Sequence, residues 1–394
     1  MMLIIKNQLD NWHKRTWTKL DTQKVSIFVF TLSLISILSY SPLLAAERKD
    51  ILFVNPGYED KGFWKSVSQT MEAASDALGF NLEIVSANRG WPVMLSKGIA
   101  AIDRSKPDYL IIVNEQQQAS KLLQYAIDHK IPTLMLLNSL TQEQEEHFGK
   151  PREKSPYWLG SIVPDNETAG YQMLTSLFEH HNQISPPITG EREKIIPLLT
   201  LAGDINTPAS IDRLNGLDRG LKEHPSFKEL RRITVNWSGE EAYLRTQQLL
   251  LTKSVNAIWA ANDAIAIGAI RALREIGMEP GQDACVVGLN WSTEAIDLVE
   301  RGEMTLTHGG HFLAGAWSIV MLYDYDQGHD FSKISTHIKF PMTAINRENV
   351  KAYKKVFGKQ DWTKINFKSF TLHDNPERTE YPFTLDYLLN TVPH

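Results

Sequence analysis

Between residues 50 and 140 the chain alternates short runs of continuous apolar or β-branched residues with longer amphipathic stretches, and this rhythm constrains the fold most. Residues 51–55, 81–86, 109–113 and 133–137 are runs of strand length, whereas 63–78, 92–104 and 117–129 carry apolar residues at helical spacing. Continuous apolar runs mean strands buried on both faces. A parallel sheet provides that environment, because each crossover between parallel strands is long enough to hold a helix that covers a face.

A second series begins near Trp158 and repeats the rhythm, with strands at 195–202, 231–236, 257–261 and 284–289 and helices at 167–180, 210–223, 240–252 and 263–276. Gly79 and Gly277 follow helical runs, Pro92 and Pro208 stand where helices begin, and Asp165 precedes one as a cap. The fold expected is α/β, with two similar lobes, each a parallel sheet with helices on both faces. A helix at 314–325 and an aromatic tail follow the second series, so the chain crosses between lobes more than once, and the tail is expected to pack on the second lobe.

Upstream, Lys6, Lys14, Arg15, Lys19 and Lys24 precede an uncharged apolar stretch from 25 to 46 that ends in Ser41-Pro42-Leu43-Leu44-Ala45-Ala46. Basic, apolar and small residues in that order mark a secretory signal. The stretch is also long enough to serve as an uncleaved anchor. Pro42 and the two alanines favour cleavage, because they interrupt the apolar run where processing occurs. The chain carries −5 overall and its first 46 residues carry +3, which leaves −8 on the remainder. Binding of nucleic acid through a broad basic field is therefore not expected. The single cysteine, Cys285, can form neither an internal disulfide nor a thiolate metal cluster, and its apolar neighbours make it a packing residue.

In open parallel sheets ligands bind beyond the carboxyl ends of the strands, so the loops there carry the candidate site. The first leads through Asn55-Pro56-Gly57 to Tyr58, Glu59, Lys61, Phe63 and Trp64, aromatics and charges that suit a sugar's apolar face and its hydroxyls. Phe63 is expected to pack its helix on the sheet. Later strand ends supply Asn138, Asp165, Arg213, Asn262, Asp263 and Asn290. Asp165 serves equally as a helix cap, and Arg213 can donate paired hydrogen bonds. His308 and His311, or His180 and His181, have no clear third ligand, so neither a metal nor any other cofactor is expected.

Taken in order, Asn55-Pro56-Gly57, Asp165-Asn166, Arg213 before Gly216, Asn262-Asp263 and Val286-Val287-Gly288 resemble the type I periplasmic binding proteins. That family includes ribose-binding proteins and autoinducer-2 receptors. The resemblance implies two lobes joined by a three-strand hinge: a signal at 1–46, a first lobe at 47–165 and 310–338, and a second at 166–309 and 339–394. It places Trp64, Asn138, Arg213 and Asp263 on ligand-contact positions of the autoinducer-receptor branch and Asn262 on one of the ribose-binding branch. Asn290 stands where many sugar binders have aspartate, and Gly309 replaces an expected polar residue.

The function implied is that of a monomeric periplasmic protein that closes on a small hydroxylated ligand, a sugar, and presents it to an ABC transporter permease. The alternative partner is the periplasmic domain of a membrane sensor. An exported glycoside-processing enzyme using Asp165, Asp263 or Glu59 is a more distant reading, because no nucleophile elbow, phosphate loop or metal motif is present. A sugar-responsive repressor would need a DNA-binding unit in place of the segment at 1–46.

Overall fold

The computed structural model describes residues 47–58, 60–185 and 195–392, so the secretory signal expected at 1–46 lies outside the described residues. The first part of the chain runs β1 (Asp50–Asn55), α1 (Gly62–Leu78), β2 (Asn81–Ser86), α2 (Trp91–Ser105), β3 (Tyr109–Ile112), α3 (Ser120–Asp128), β4 (Thr133–Leu136), α4 (Gln142–Phe148) and β5 (Trp158–Pro164). There follow α5 (Asn166–Ile184), β6 (Ile196–Ala202), α6 (Pro208–Glu223), β7 (Phe227–Thr234), α7 (Gly239–Leu250), β8 (Ala257–Ala260), α8 (Asp263–Glu275), β9 (Cys285–Leu289), α9 (Thr293–Arg301) and β10 (Leu306–Gly309). The remainder holds α10 (Ala314–Asp326), β11 (His337–Phe340), β12 (Thr343–Asn346), α11 (Val350–Phe357) and α12 (Leu385–Thr391).

These strands form two six-stranded sheets, ordered β11-β5-β4-β3-β1-β2 and β12-β10-β9-β8-β6-β7. All neighbours are parallel except β12, which runs antiparallel to β10. The continuous apolar run of β1 has its explanation here. Side chains alternate across a strand, so Ile51 and Phe53 enter the core beneath α1 and α10 while Leu52 and Val54 enter the one beneath α2 and α3. Edge strand β7 begins four residues before the expected start. It pairs on one side only, and Lys228, Glu229, Arg231 and Arg232 remain partly or fully exposed, which hides the strand from an apolar pattern.

The chain passes between the sheets after β5, after β10 and after β11. Strand β11 pairs with β5 as far as Phe340 against Pro164, so the last passage follows Phe340 and not residue 338. Two of these segments are tied together: the Asp165 backbone N–H donates to the Phe340 carbonyl at 2.8 Å, and Lys339 Nζ lies 3.0 Å from Asp165 Oδ1.

The tail corrects the expectation that it packs on the second lobe. Helix α11 does pack there, on α9 and β12, but Trp362 then sits against Phe357 and Phe312, and a turn at Phe367–Phe370 lies on α1 and α10 of the first lobe. Helix α10 is apolar on every side, and such a helix must be covered on every side. Its outer residue Trp317 stacks on Phe383, 4.7 Å away at 11°, and touches Phe370 at 4.5 Å. Buried Asp324 completes the attachment by accepting from the backbone N–H groups of Leu372 and His373 and from the Tyr381 hydroxyl, at 2.8–2.9 Å.

Candidate ligand-binding cleft

The carboxyl ends of both sheets face one cleft of about 530 Å3 between the lobes. Every one of the first ten strands sends a residue to its wall. From the first sheet come Phe63 and Trp64 after β1, Arg89 after β2, Glu115 after β3, Leu137 and Asn138 after β4, and Pro164 at the end of β5. From the second come Thr207, Ala209 and Arg213 after β6, Trp237 after β7, Asn262 after β8, Asn290 after β9 and His311 after β10.

The local sequence accounts for how these side chains are held. Asn55 is fully buried, accepts from the Gly57 backbone N–H at 2.8 Å and donates to Ser68, so it builds the turn that leads into α1. A Cβ on Gly57 would collide with Trp64, so the glycine allows the indole to lie against the loop. Several loops hold consecutive non-glycine residues in the left-handed region: Asn88 and Arg89 (φ 51° and 65°), Gln116 and Gln117 (49° and 60°), and Asn236 and Trp237 (46° and 63°). Strain of this kind gathers at functional sites, and here it falls on the strand ends that form the cleft.

Arg213 is the most constrained of the group, at 4% exposure. Its Nε donates to Asn166 Oδ1 at 2.9 Å, one terminal nitrogen donates to the Ala261 carbonyl at 2.7 Å, and the other lies 3.5 Å from His311 Nε2. Helices α5 and α6 must approach closely for this. A Cβ on Gly216 would strike the Glu167 carbonyl oxygen and one on Gly170 would strike the Arg213 carbonyl oxygen. Burial lowers the Arg213 pKa to about 10, against the pull of Asp212, Asp263 and Glu115, so the guanidinium keeps its charge at neutral pH. Burial and Arg213 together lower His308 to about 4 and His311 well below its ordinary value, and both imidazoles are neutral. Burial pushes the Glu115 carboxyl up to about 7, with Asp204 adding to the shift and Arg89 and Arg213 opposing it.

Of the residues expected from the sequence, Trp64, Asn138, Arg213, Asn262 and Asn290 line the cleft together. Asn138 Oδ1 accepts from the Ala209 backbone N–H at 3.1 Å, and Asn262 Oδ1 accepts from Ile265 N at 2.8 Å as the N-cap of α8. Both therefore keep Nδ2 as a donor beyond these bonds. Three expectations fail on placement. Asp263, with 0% exposure, receives Thr307 Oγ1 at 2.7 Å and Ser292 N at 2.8 Å, and it lies outside the lining because the helix turns it away from its neighbour Asn262. Asp165 caps α5 through Thr168 and pairs with Lys339, and it is Asn166 that reaches Arg213. Tyr58 is exposed, with Lys61 Nζ 4.5 Å from its ring centroid. Glu59 lies outside the described residues.

Arg89, Glu115, Thr207 and Trp237 were not expected, although applying the strand-end rule to β2, β3, β6 and β7 points to them. Phe63 was expected only to pack. It stacks on His311 at 4.4 Å and also lines the cleft. The space above Gly309 is taken by the Trp291 indole, which explains why no side chain stands there, and His311 supplies the polar group from two residues further on.

A family model described as a periplasmic binding protein domain matches residues 51–330. The structure resembles that of a periplasmic sugar-binding protein from Pseudomonas fluorescens, with a TM-score of 0.78 and 33% identity over 86% of this chain and 99% of that one. In sequence it is 24% identical to the D-apiose import binding protein of Actinobacillus succinogenes, over 67% of this chain and 77% of that protein. It is also 24% identical to the xylitol-binding protein of Mycolicibacterium smegmatis, over 50% of this chain and 52% of that one, so this match spans about half the relative's length. Two lobes with parallel sheets, joined by repeated crossings and facing one cleft, place this chain among the type I periplasmic binding proteins.

Proposed function

We propose that this protein is an exported solute-binding protein that closes its lobes on a small sugar-like ligand and delivers it to an ABC transporter permease. One observation carries the reading: amides, neutral imidazole and guanidinium converge with aromatic faces from both lobes on one cleft. Sugar hydroxyls both donate and accept, which suits Asn138, Asn262, Asn290 and His311, while Arg213 supplies a fork of donors. Phe63, Trp64 and Trp237 offer faces to the ring's C–H groups. Groups from both lobes make closure selective, since a ligand shifts the equilibrium only by what it gains in the closed state. Relatives named for the binding of xylitol and the import of apiose support the ligand class and the transporter partner. The basic-then-apolar order of residues 1–46 supports export.

Binding without turnover is part of the proposal. Among the described residues the cleft lining holds one carboxyl, Glu115, whereas glycoside hydrolysis uses two carboxyl groups across the scissile bond. The test is calorimetric titration of the purified protein with pentoses, hexoses and polyols, followed by recovery of the bound compound. Saturable binding of at least one of them, its return unchanged and a loss of roughly a hundredfold in affinity for Arg213→Lys are expected. Chemical conversion of the ligand, or binding indifferent to Arg213→Lys, would count against the proposal.

A further inference from the structure

A second space adjoins the cleft. Arg89, Glu115 and Trp237 also border this space of about 790 Å3, whose far side is formed by Trp91, Met94, Gln116, Asp204 and Asn236. About 320 Å3 of that space is enclosed, at the lower end of ordinary small-molecule sites, roughly 300–1,000 Å3. The walls come from both lobes, so this chamber, like the inner cleft, changes shape on closure.

Trp91 is its most telling residue. The side chain is 45% exposed, and among the described residues its indole has neither a ring partner nor a hydrogen-bond partner. Gly90 and Pro92 flank it at the first turn of α2, so the backbone fixes where the ring stands. Packing does not account for it. Arg89 is exposed as well and has no carboxylate within ion-pairing distance among the described residues. Both flanking loops hold their residues in left-handed backbone, Asn88-Arg89 on one lobe and Asn236-Trp237 on the other.

The chemistry of the chamber selects its occupant. Gln116 and Asp204 are already bonded to each other, whereas Trp91 and Trp237 offer flat faces and Arg89 and Asn236 offer donors and acceptors at the edges. A purely apolar group would leave those polar atoms without partners, and a small ion would leave the rings uncovered. A hydroxylated ring satisfies both. Arg89, Glu115 and Trp237 border both spaces, so rings seated in the two are neighbours.

We infer that the outer chamber is a second sugar subsite and that the preferred ligand is a two-ring saccharide, an inference that rests on the inner cleft being a sugar site. Titration calorimetry on the purified protein with matched pairs tests it: xylose and xylobiose, glucose and cellobiose, galactose and lactose, arabinose and arabinobiose. In at least one pair the disaccharide is expected to bind at least tenfold more tightly than its monosaccharide. Trp91→Ala should cut that advantage to less than twofold, and Trp91→Tyr, which keeps a ring, should retain most of it. Monosaccharide binding with no disaccharide favoured in any pair would overturn the subsite and leave the sugar site standing, as would a disaccharide advantage that survives Trp91→Ala. Binding of none of the eight compounds would overturn the sugar reading itself, and the subsite with it.

Discussion

Gln116 Nε2 donates to Asp204 Oδ2 at 2.9 Å, linking the loop after β3 in one lobe to the loop after β6 in the other. Two further bonds run between the lobes, from Gln117 Nε2 to the Asn206 carbonyl at 3.1 Å and from the Ala209 backbone N–H to Asn138 Oδ1 at 3.1 Å. The closed arrangement thus has stabilising contacts of its own, and the ligand supplies only the remainder of the free energy of closure.

Removing the first of these contacts should shift the protein toward the open form. A hydrogen bond to a charged group contributes roughly 1.5–3 kcal/mol net, so Gln116→Ala is expected to weaken ligand affinity by at least about tenfold. Small-angle scattering of the unliganded variant should show a larger radius of gyration than the parent. Identical scattering and identical affinity would remove any role of this bond in closure.

Gly216→Ala should act on the site from a distance. The added Cβ meets the Glu167 carbonyl oxygen, which forces α5 and α6 apart and moves Arg213 away from Asn166. Overpacking of this kind costs about 1–3 kcal/mol. Lower thermal stability together with weaker binding is expected, measured by calorimetry on one preparation. Lost stability with binding intact would show that Arg213 holds its place without the close helix contact.

Asp263 gives a pH dependence of defined sign. Burial raises its carboxyl from 3.8 to about 6, with Thr307, Ser292 and Arg213 opposing. The folded state then binds the proton more tightly than the unfolded state. Stability from this group is full below about pH 4 and is lost as the pH rises through about 6, by about 3 kcal/mol for two units. Asp263→Asn cannot titrate. Urea unfolding at pH 4 and pH 7 should therefore show parent stability falling relative to the variant by about that amount. A constant difference between the two proteins would refute the assignment.

The tail should depend on Asp324. Its carboxylate accepts from Leu372, His373 and Tyr381, and Asp324→Ala leaves those three donors without their acceptor. At about 1 kcal/mol or more for each, a loss of at least about 3 kcal/mol is expected, with a smaller loss for Asp324→Asn. Calorimetric melting measures the stability, and limited proteolysis should cut the alanine variant first within residues 360–392. A tail equally protected in both variants would mean that the Trp317, Phe370 and Phe383 stack holds it alone.

The sequence determined the parallel α/β lobes, because strands buried on both faces must be apolar throughout and their crossovers must be helical in period. It also located most of the cleft, since Trp64, Asn138, Arg213, Asn262 and Asn290 stand where strands end. It could not separate Asn262 from Asp263 or Asp165 from Asn166. Adjacent residues at a helix start point in different directions, and only the packed neighbours Thr307, Ser292, Thr168 and Lys339 decide which one turns inward to a partner and which one reaches the cleft or Arg213. Edge strand β7 starts earlier than its apolar pattern predicts because an edge tolerates charge. The tail's attachment to the first lobe was decided by tertiary structure alone: α10 is apolar all round, and the side of it left open by α1 and the sheet needed a cover that the local pattern of the tail does not reveal.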